Sequence, residues 1–212
     1  MLAGVGTDGG LRERKKQQTR QSISDVATRL FLERGYDQVT IAEIAGAAGV
    51  AKMTVTNYFP RKEDLVLDIA DEFVALLART AADRPAGEPV RDSLRRRYAE
   101  AVARREALVG FAGAPFVRLV QESPALAARL RELFELRERA LAAQLAVEAS
   151  TDGDDLTARL VAAQLAGAYR VLFGEAFRLV RAGHDEEQVA EALDQAGARA
   201  FDLLATGERC DV

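Results

Sequence analysis

Tryptophan is absent from this chain, and cysteine and histidine occur once each among its 212 residues. The lone Cys210 has no intrachain partner for a disulfide, and no metal site of cysteine ligands can be assembled. His184, between Gly183 and Asp185, has no second histidine or paired nucleophile beside it, so it reads as a turn residue. Gly110 and Gly113 lack the strand and lysine pattern of a phosphate loop. No acid, base and nucleophile come together, so the chain reads as a non-enzyme without cofactors. No apolar run reaches the roughly 18 residues of a membrane span. The opening MLAGVGTDGG has neither the charged head nor the apolar stretch of a signal peptide. A cytoplasmic protein with no membrane partner is expected.

Proline is limited to 5 residues and aromatics to 6%, while Ala, Leu, Arg and Glu are abundant. β-Branched residues are sparse, and this balance favours an all-α fold. Apolar residues make up 49%, enough for a substantial core. The net charge of -4 argues against nucleic acid on average, but the charge is unevenly spread. Residues 1–62 hold ten Lys or Arg against six Asp or Glu; residues 63–212 hold nineteen against twenty-seven. A basic end on an acidic body points to a nucleic-acid contact.

The stretch Thr40 to Lys62 reads as two short helices around a tight turn. Ile44, Ala48, Val50, Val55 and Tyr58 form its apolar skeleton, and Ala45 is small where the helices cross. Gly49 stands where the turn needs a left-handed backbone. Lys52, Thr54, Thr56 and Asn57 are left facing outward. This is the layout of a helix-turn-helix, whose second helix enters the DNA major groove.

The remaining helices follow from periodicity and caps. Residues 12–20, RERKKQQTR, carry five positive charges and one negative. With Arg14, Lys15 and Lys16 they form a basic arm able to follow phosphates or enter the minor groove. A first helix is expected from Lys16 to Arg34, with Gly35 ending it. Thr40 and Glu43 form a capping box for a second over Ile41 to Ala47. A third covers Lys52 to Tyr58 and stops at Phe59-Pro60. One continuous fourth helix is expected from Lys62 to Ala81. The segment ADRPAGEP, 82–89, breaks the chain. Further helices are expected over Val90 to Leu108, around Phe116 to Val120, from the Ser123-Pro124 cap through Leu145, over Asp155 to Arg181 and over Asp185 to Leu204, with a loop at 150–155. The Asp155–Arg181 helix is apolar on more than one side. Val189, Leu193, Ala196, Gly197, Ala200 and Leu204 give the last helix a smooth small-residue face. A two-fold dimer through a four-helix bundle of these two helices is expected.

Taken together, the sequence resembles the TetR/AcrR family of bacterial transcriptional regulators. The resemblance rests on AxxLFxxxGYxxxTxxxIAxxAGV over Ala27 to Val50 and on YFPRKEDL over Tyr58 to Leu65. It implies about nine helices: an N-terminal three-helix DNA-binding domain with the helix-turn-helix, and a C-terminal helical bundle for ligand binding and dimerisation. The domains are then a flexible basic arm at 1–15, the DNA-binding domain at 16–62 and the ligand-binding and dimerisation domain at 63–207. It further implies a homodimeric repressor on a double-stranded operator, an inverted repeat, released by a small-molecule effector. Carried over by position, Lys52, Met53 and Thr56 reach base edges. Thr54, Tyr58 and Lys62 hold phosphates, and Thr40 offers a hydroxyl to the backbone. Members often have tyrosine where this chain has Thr56, which implies an uncommon operator.

In the C-terminal part, Tyr98, Phe111, Phe116, Phe134, Tyr169, Phe173 and Phe177 are candidates to line one effector cavity, suited to an apolar or planar ligand. Arg118, Arg137 and Arg170 are candidates to anchor an anionic group. The segment RLVQESPALAARLRELFELRERALAAQL resembles actinobacterial members with acyl-CoA-like ligand domains, which suggests an acyl-type effector. Two other readings use the same features: a transcriptional activator, and a small-molecule- or lipid-binding helical protein with vestigial DNA binding.

Overall fold

The computed structural model describes residues 8–150 and 155–207. Cys210 and most of the expected 150–155 loop lie outside them. The described residues form nine α-helices and two 3-10 turns, with no strand among them. The chain divides into two compact units, 1–68 and 69–212.

The first unit contains α1 (Asp8–Arg34), α2 (Ile41–Ala47), α3 (Lys52–Tyr58) and a 3-10 turn (Lys62–Leu65). α1 begins eight residues before the expected Lys16, so Arg14, Lys15 and Lys16 sit on helix; residues 1–7 of the flexible arm expected at 1–15 lie outside the described residues. The run LRERKKQQTRQ contains strong helix formers and no breaker, so the helix propagates through it. Ile23, Ala27 and Phe31 of α1 are buried with Val39, Ile44, Ala45, Val55 and Phe59. Phe59, which read only as a helix terminator, is a core residue, whereas Tyr58 is half-buried.

α2 starts at a complete capping box. The Glu43 N–H donates to Thr40 Oγ1 at 3.2 Å, and the Thr40 N–H donates back to Glu43 Oε2 at 2.8 Å. Arg34 adds an ion pair to Glu43 at 2.7 Å. The Thr40 N–H, the Arg34 guanidinium and the Thr40 hydroxyl together hold the Glu43 carboxyl down at about 2. The α2–α3 turn closes with Val50 N–H on Ala45 O at 3.0 Å and Gly49 at φ 66°.

The expected single helix from Lys62 to Ala81 is two pieces: the 3-10 turn and α4 (Ala70–Ala82). Leu65, Val66 and Leu67 are 0, 3 and 9% exposed. Three consecutive buried residues cannot share one stripe of an α-helix, where each step turns by about 100°. Ser24 Oγ, 2.7 Å from Asp68 Oδ2, further ties this segment to α1.

The second unit holds α4, α5 (Val90–Ala103), a 3-10 turn (Ala107–Val109), α6 (Ala114–Glu122), α7 (Pro124–Glu148), α8 (Leu156–Arg181) and α9 (Glu186–Gly207). α4 packs on α7, α7 on α8, and α9 on both α8 and α5. α5 stops five residues short of the expected Leu108. Arg105 adopts φ 53°, and Glu106 N–H reaches back to Ala101 O at 3.0 Å. This is a Schellman stop with arginine in the seat usually held by glycine.

The small-residue face of α9 packs against the core of its own unit. Val189, Leu193 and Phe201 are buried, and Ala196, Ala200 and Leu204 pack against the same core. A Cβ at Gly197 would lie 2.5 Å from Tyr98 Cε1. The Tyr98 ring is itself fixed by an edge contact to Tyr169 and a tilted contact to Phe201.

Two outcomes follow from this packing. Gly197→Ala should destabilise the second unit by about 1–3 kcal/mol through overpacking, read by denaturant unfolding; an unchanged midpoint would contradict the contact. Glu43 has its carboxyl lowered in the folded chain, so its stabilisation is present above the ordinary 4.5 and lost as pH falls through about 2. The stability difference between wild type and Glu43→Gln should therefore shrink across that window in acid titration followed by circular dichroism. A constant difference would count against the capping geometry.

Candidate nucleic-acid interface and the core of the second unit

α3 is held by one deeply buried residue. Val55 is 0% exposed, while Lys52, Met53, Thr56 and Asn57 are exposed, Met53 at 69%. Thr54 and Tyr58 are half-buried at the edges of that outward face. A seven-residue helix thus presents two turns of side chains, a lysine, a thioether, a methyl-bearing hydroxyl and an amide. These are the donor, acceptor and apolar groups that distinguish bases in a major groove. The Thr56 hydroxyl donates to the helix's own carbonyls, at 3.1 Å from Met53 O and 3.4 Å from Lys52 O. Its hydrogen-bonding capacity is partly spent within the helix.

The residues expected at phosphates are placed unequally. Thr40 is exposed, but its hydroxyl is engaged with Glu43 Oε2 at 2.8 Å. Lys62 is drawn inward: its Nζ donates to Tyr36 O at 2.6 Å and lies 4.2 Å from the Tyr36 ring centroid. Burial lowers its pKa, while the carboxylates of Asp37, Glu63 and Glu43 act the other way. Lys15 and Lys16 are exposed on α1, as is Arg14. Arg20, half-buried, stacks over Phe59 at 4.6 Å. Nothing in the sequence distinguished Lys62 from an outward lysine. Its position beside a proline turn says little about which way a long side chain will fold.

In the second unit six of the ten expected ligand residues converge. Phe134, Phe173 and Phe177 form a ring cluster with Phe73, with centroid separations of 4.8 to 5.7 Å. Arg137 lies on it, its Cζ 3.8 Å from the Phe73 centroid and 5.5 Å from that of Tyr169. Tyr98 adjoins Tyr169, whose hydroxyl donates to Leu94 O at 2.8 Å. Burial raises the pKa of both phenols. Phe111 lines a separate surface cleft with Gly113, Val180 and His184. Phe116 is half-buried, and Arg118 and Arg170 are exposed. The rings expected around one cavity thus pack largely on one another.

Arg137 is 0% exposed. Its Nε donates to Phe73 O at 2.8 Å and one Nη to Leu108 O at 3.2 Å. Burial lowers its pKa to about 10; Tyr169 opposes that, and the charge on Arg97 adds to it. Two members of this neighbourhood were missed in the sequence. Phe73 read only as core, and Arg97 was one of three consecutive arginines with nothing to single it out.

The family model described as bacterial regulatory proteins, tetR family, matches residues 23–69. The HTH-type transcriptional regulator TcmR of Streptomyces glaucescens is 30% identical over 197 residues, covering 88% of this chain and 84% of that protein. The HTH-type transcriptional regulator AcrR of Shigella flexneri is 42% identical over 57 residues, 27% of this chain and 26% of its own length. Among solved structures, NalD of Pseudomonas aeruginosa, the secondary repressor of the MexAB-OprM multidrug efflux pump, superposes with a TM-score of 0.53. That match is 21% identical and covers 87% of this chain and 97% of NalD, a likeness of fold. With a near full-length relative and a family model that matches the residues of α2 and α3, this chain belongs to the tetR family of bacterial regulatory proteins and is a DNA-binding transcriptional regulator.

Proposed function

We propose that the chain is a homodimeric repressor that binds a two-fold operator through α3 and leaves it when a small apolar effector binds the second unit. The observation that carries this is the division of α3 into one buried anchor, Val55, and an outward face of Lys52, Met53, Thr56 and Asn57. Lys52 donates to guanine O6 or N7, Met53 meets a thymine methyl, and Lys15 and Lys16 follow phosphates.

Pairing is supported by α8. Leu156, Leu160 and Val171 are 65, 55 and 65% exposed, and their spacing places them on one stripe. Gly167 and Gly174 lie on the same side, and a Cβ at either would meet nothing within 4 Å. An apolar stripe with gaps of this kind suits the same stripe of a second copy. One recognition helix reads too few bases alone, and two-fold pairing sets half-sites one helical turn apart, about 34–36 Å. Effector binding shifts the population away from the state with that spacing.

Fluorescence anisotropy on the chain's own upstream DNA tests this reading. Lys52→Ala should weaken binding by about 1–3 kcal/mol and relax preference at one base pair. Lys16→Ala should weaken all sequences alike and reduce the salt slope by about 1. Thr56→Ala should change affinity less than either, since its hydroxyl serves the helix. Binding without sequence preference or steep salt dependence would overturn the repressor reading.

A further inference from the structure

The second unit contains a buried cation with no anion assigned to it. Arg137 is wholly buried, and no carboxylate pairs with it among the described residues. Its hydrogen bonds go to two neutral carbonyls, of Phe73 and Leu108, and its Nη1 has no acceptor. The ring of Phe73 below it attracts the cation but does not neutralise it. The nearby Arg97 adds a second positive charge and also keeps a buried Nη1 without an acceptor. The carboxylate that could offset them, Glu106, is bonded to Arg97 at 2.5 Å. The group therefore holds two guanidinium charges against one carboxylate. An uncompensated buried charge is among the least favourable arrangements a core can hold. Capping two carbonyls needs no such charge.

The chemistry beside Arg137 is aromatic. Phe134 precedes it by three residues on α7 and so shares its face. Phe134 is also the half-buried member of the Phe73, Phe134, Phe173 and Phe177 cluster. We propose that the second unit binds an apolar organic monoanion, with a carboxylate-type oxygen on Arg137 and its apolar body against Phe134, the half-buried member of this cluster. This deepens the effector-responsive reading above and rests on it. The guanidinium supplies paired N–H groups to a planar oxyanion, and the dry surroundings strengthen that pairing. A neutral molecule of the same shape packs on Phe134 but leaves the charge as it was.

Fluorescence titration of the full chain with two probes of one scaffold tests this: anilinonaphthalene sulfonate, an anion, and phenylnaphthylamine, neutral. The wild type should bind the anion at least about tenfold more tightly, the range of a charge-assisted hydrogen bond. Arg137→Met should abolish that preference while still binding the neutral probe, and Arg137→Lys should restore part of it. Should the methionine variant not fold, competition on the wild type decides. Naphthoate and decanoate should displace the neutral probe at least tenfold better than naphthamide and decanamide, and the better of the two acids tells an aromatic body from an acyl one. Binding of the neutral probe with no preference for anions in any arm overturns this proposal alone. Failure of every probe and competitor to bind overturns the effector-responsive reading with it.

Discussion

A helix of seven residues does not persist by itself in water, because nucleation costs more than two turns of hydrogen bonds return. α2 and α3 are both that short. They exist because Ile44, Ala45, Val55 and Phe59 are buried with Ile23, Ala27 and Phe31 of α1. The Thr40–Glu43 box fixes where α2 starts, and Gly49 lets the chain reverse into α3. Everything the recognition face can do is conditional on that small shared core.

Much of this was legible in the sequence because it is written in local chemistry. α2 and α3 carry a cap, a turn glycine and a proline stop, and their bounds were read to the residue. The Ser123-Pro124 start of α7 and the last turn of α8 were equally plain. The misses have a common origin in tertiary structure. The break at 66–69 is set by burying three neighbours in a row, and the end of α5 by a left-handed arginine. The inward face of α9 is set by the ring of Tyr98, a hundred residues away in the chain. Periodicity shows that a face is apolar or smooth; it does not say which neighbour covers it.

The candidate site divides in the same way. That Lys52, Met53 and Asn57 face outward follows from their spacing around Val55. That Lys62 folds onto Tyr36 O does not, since a long side chain reaches in several directions. Arg137 stood as one candidate among three arginines of similar setting. Burial separates it from Arg118 and Arg170: it lies four residues from both Leu133 and Leu141 on the buried stripe of α7, and a charge on such a stripe is what composition-based patterns predict least.

The two faces of α3 have no side chain in common. Val55 is committed wholly to the core, whereas Lys52, Met53, Thr56 and Asn57 add little to it. Exchanges at those four positions are therefore nearly free of folding consequence. Copies of such a gene can drift to new targets one side chain at a time, with the scaffold passing each step unaltered. Val55 has no such latitude, and variation at this helix should be confined to the side that meets the outside world.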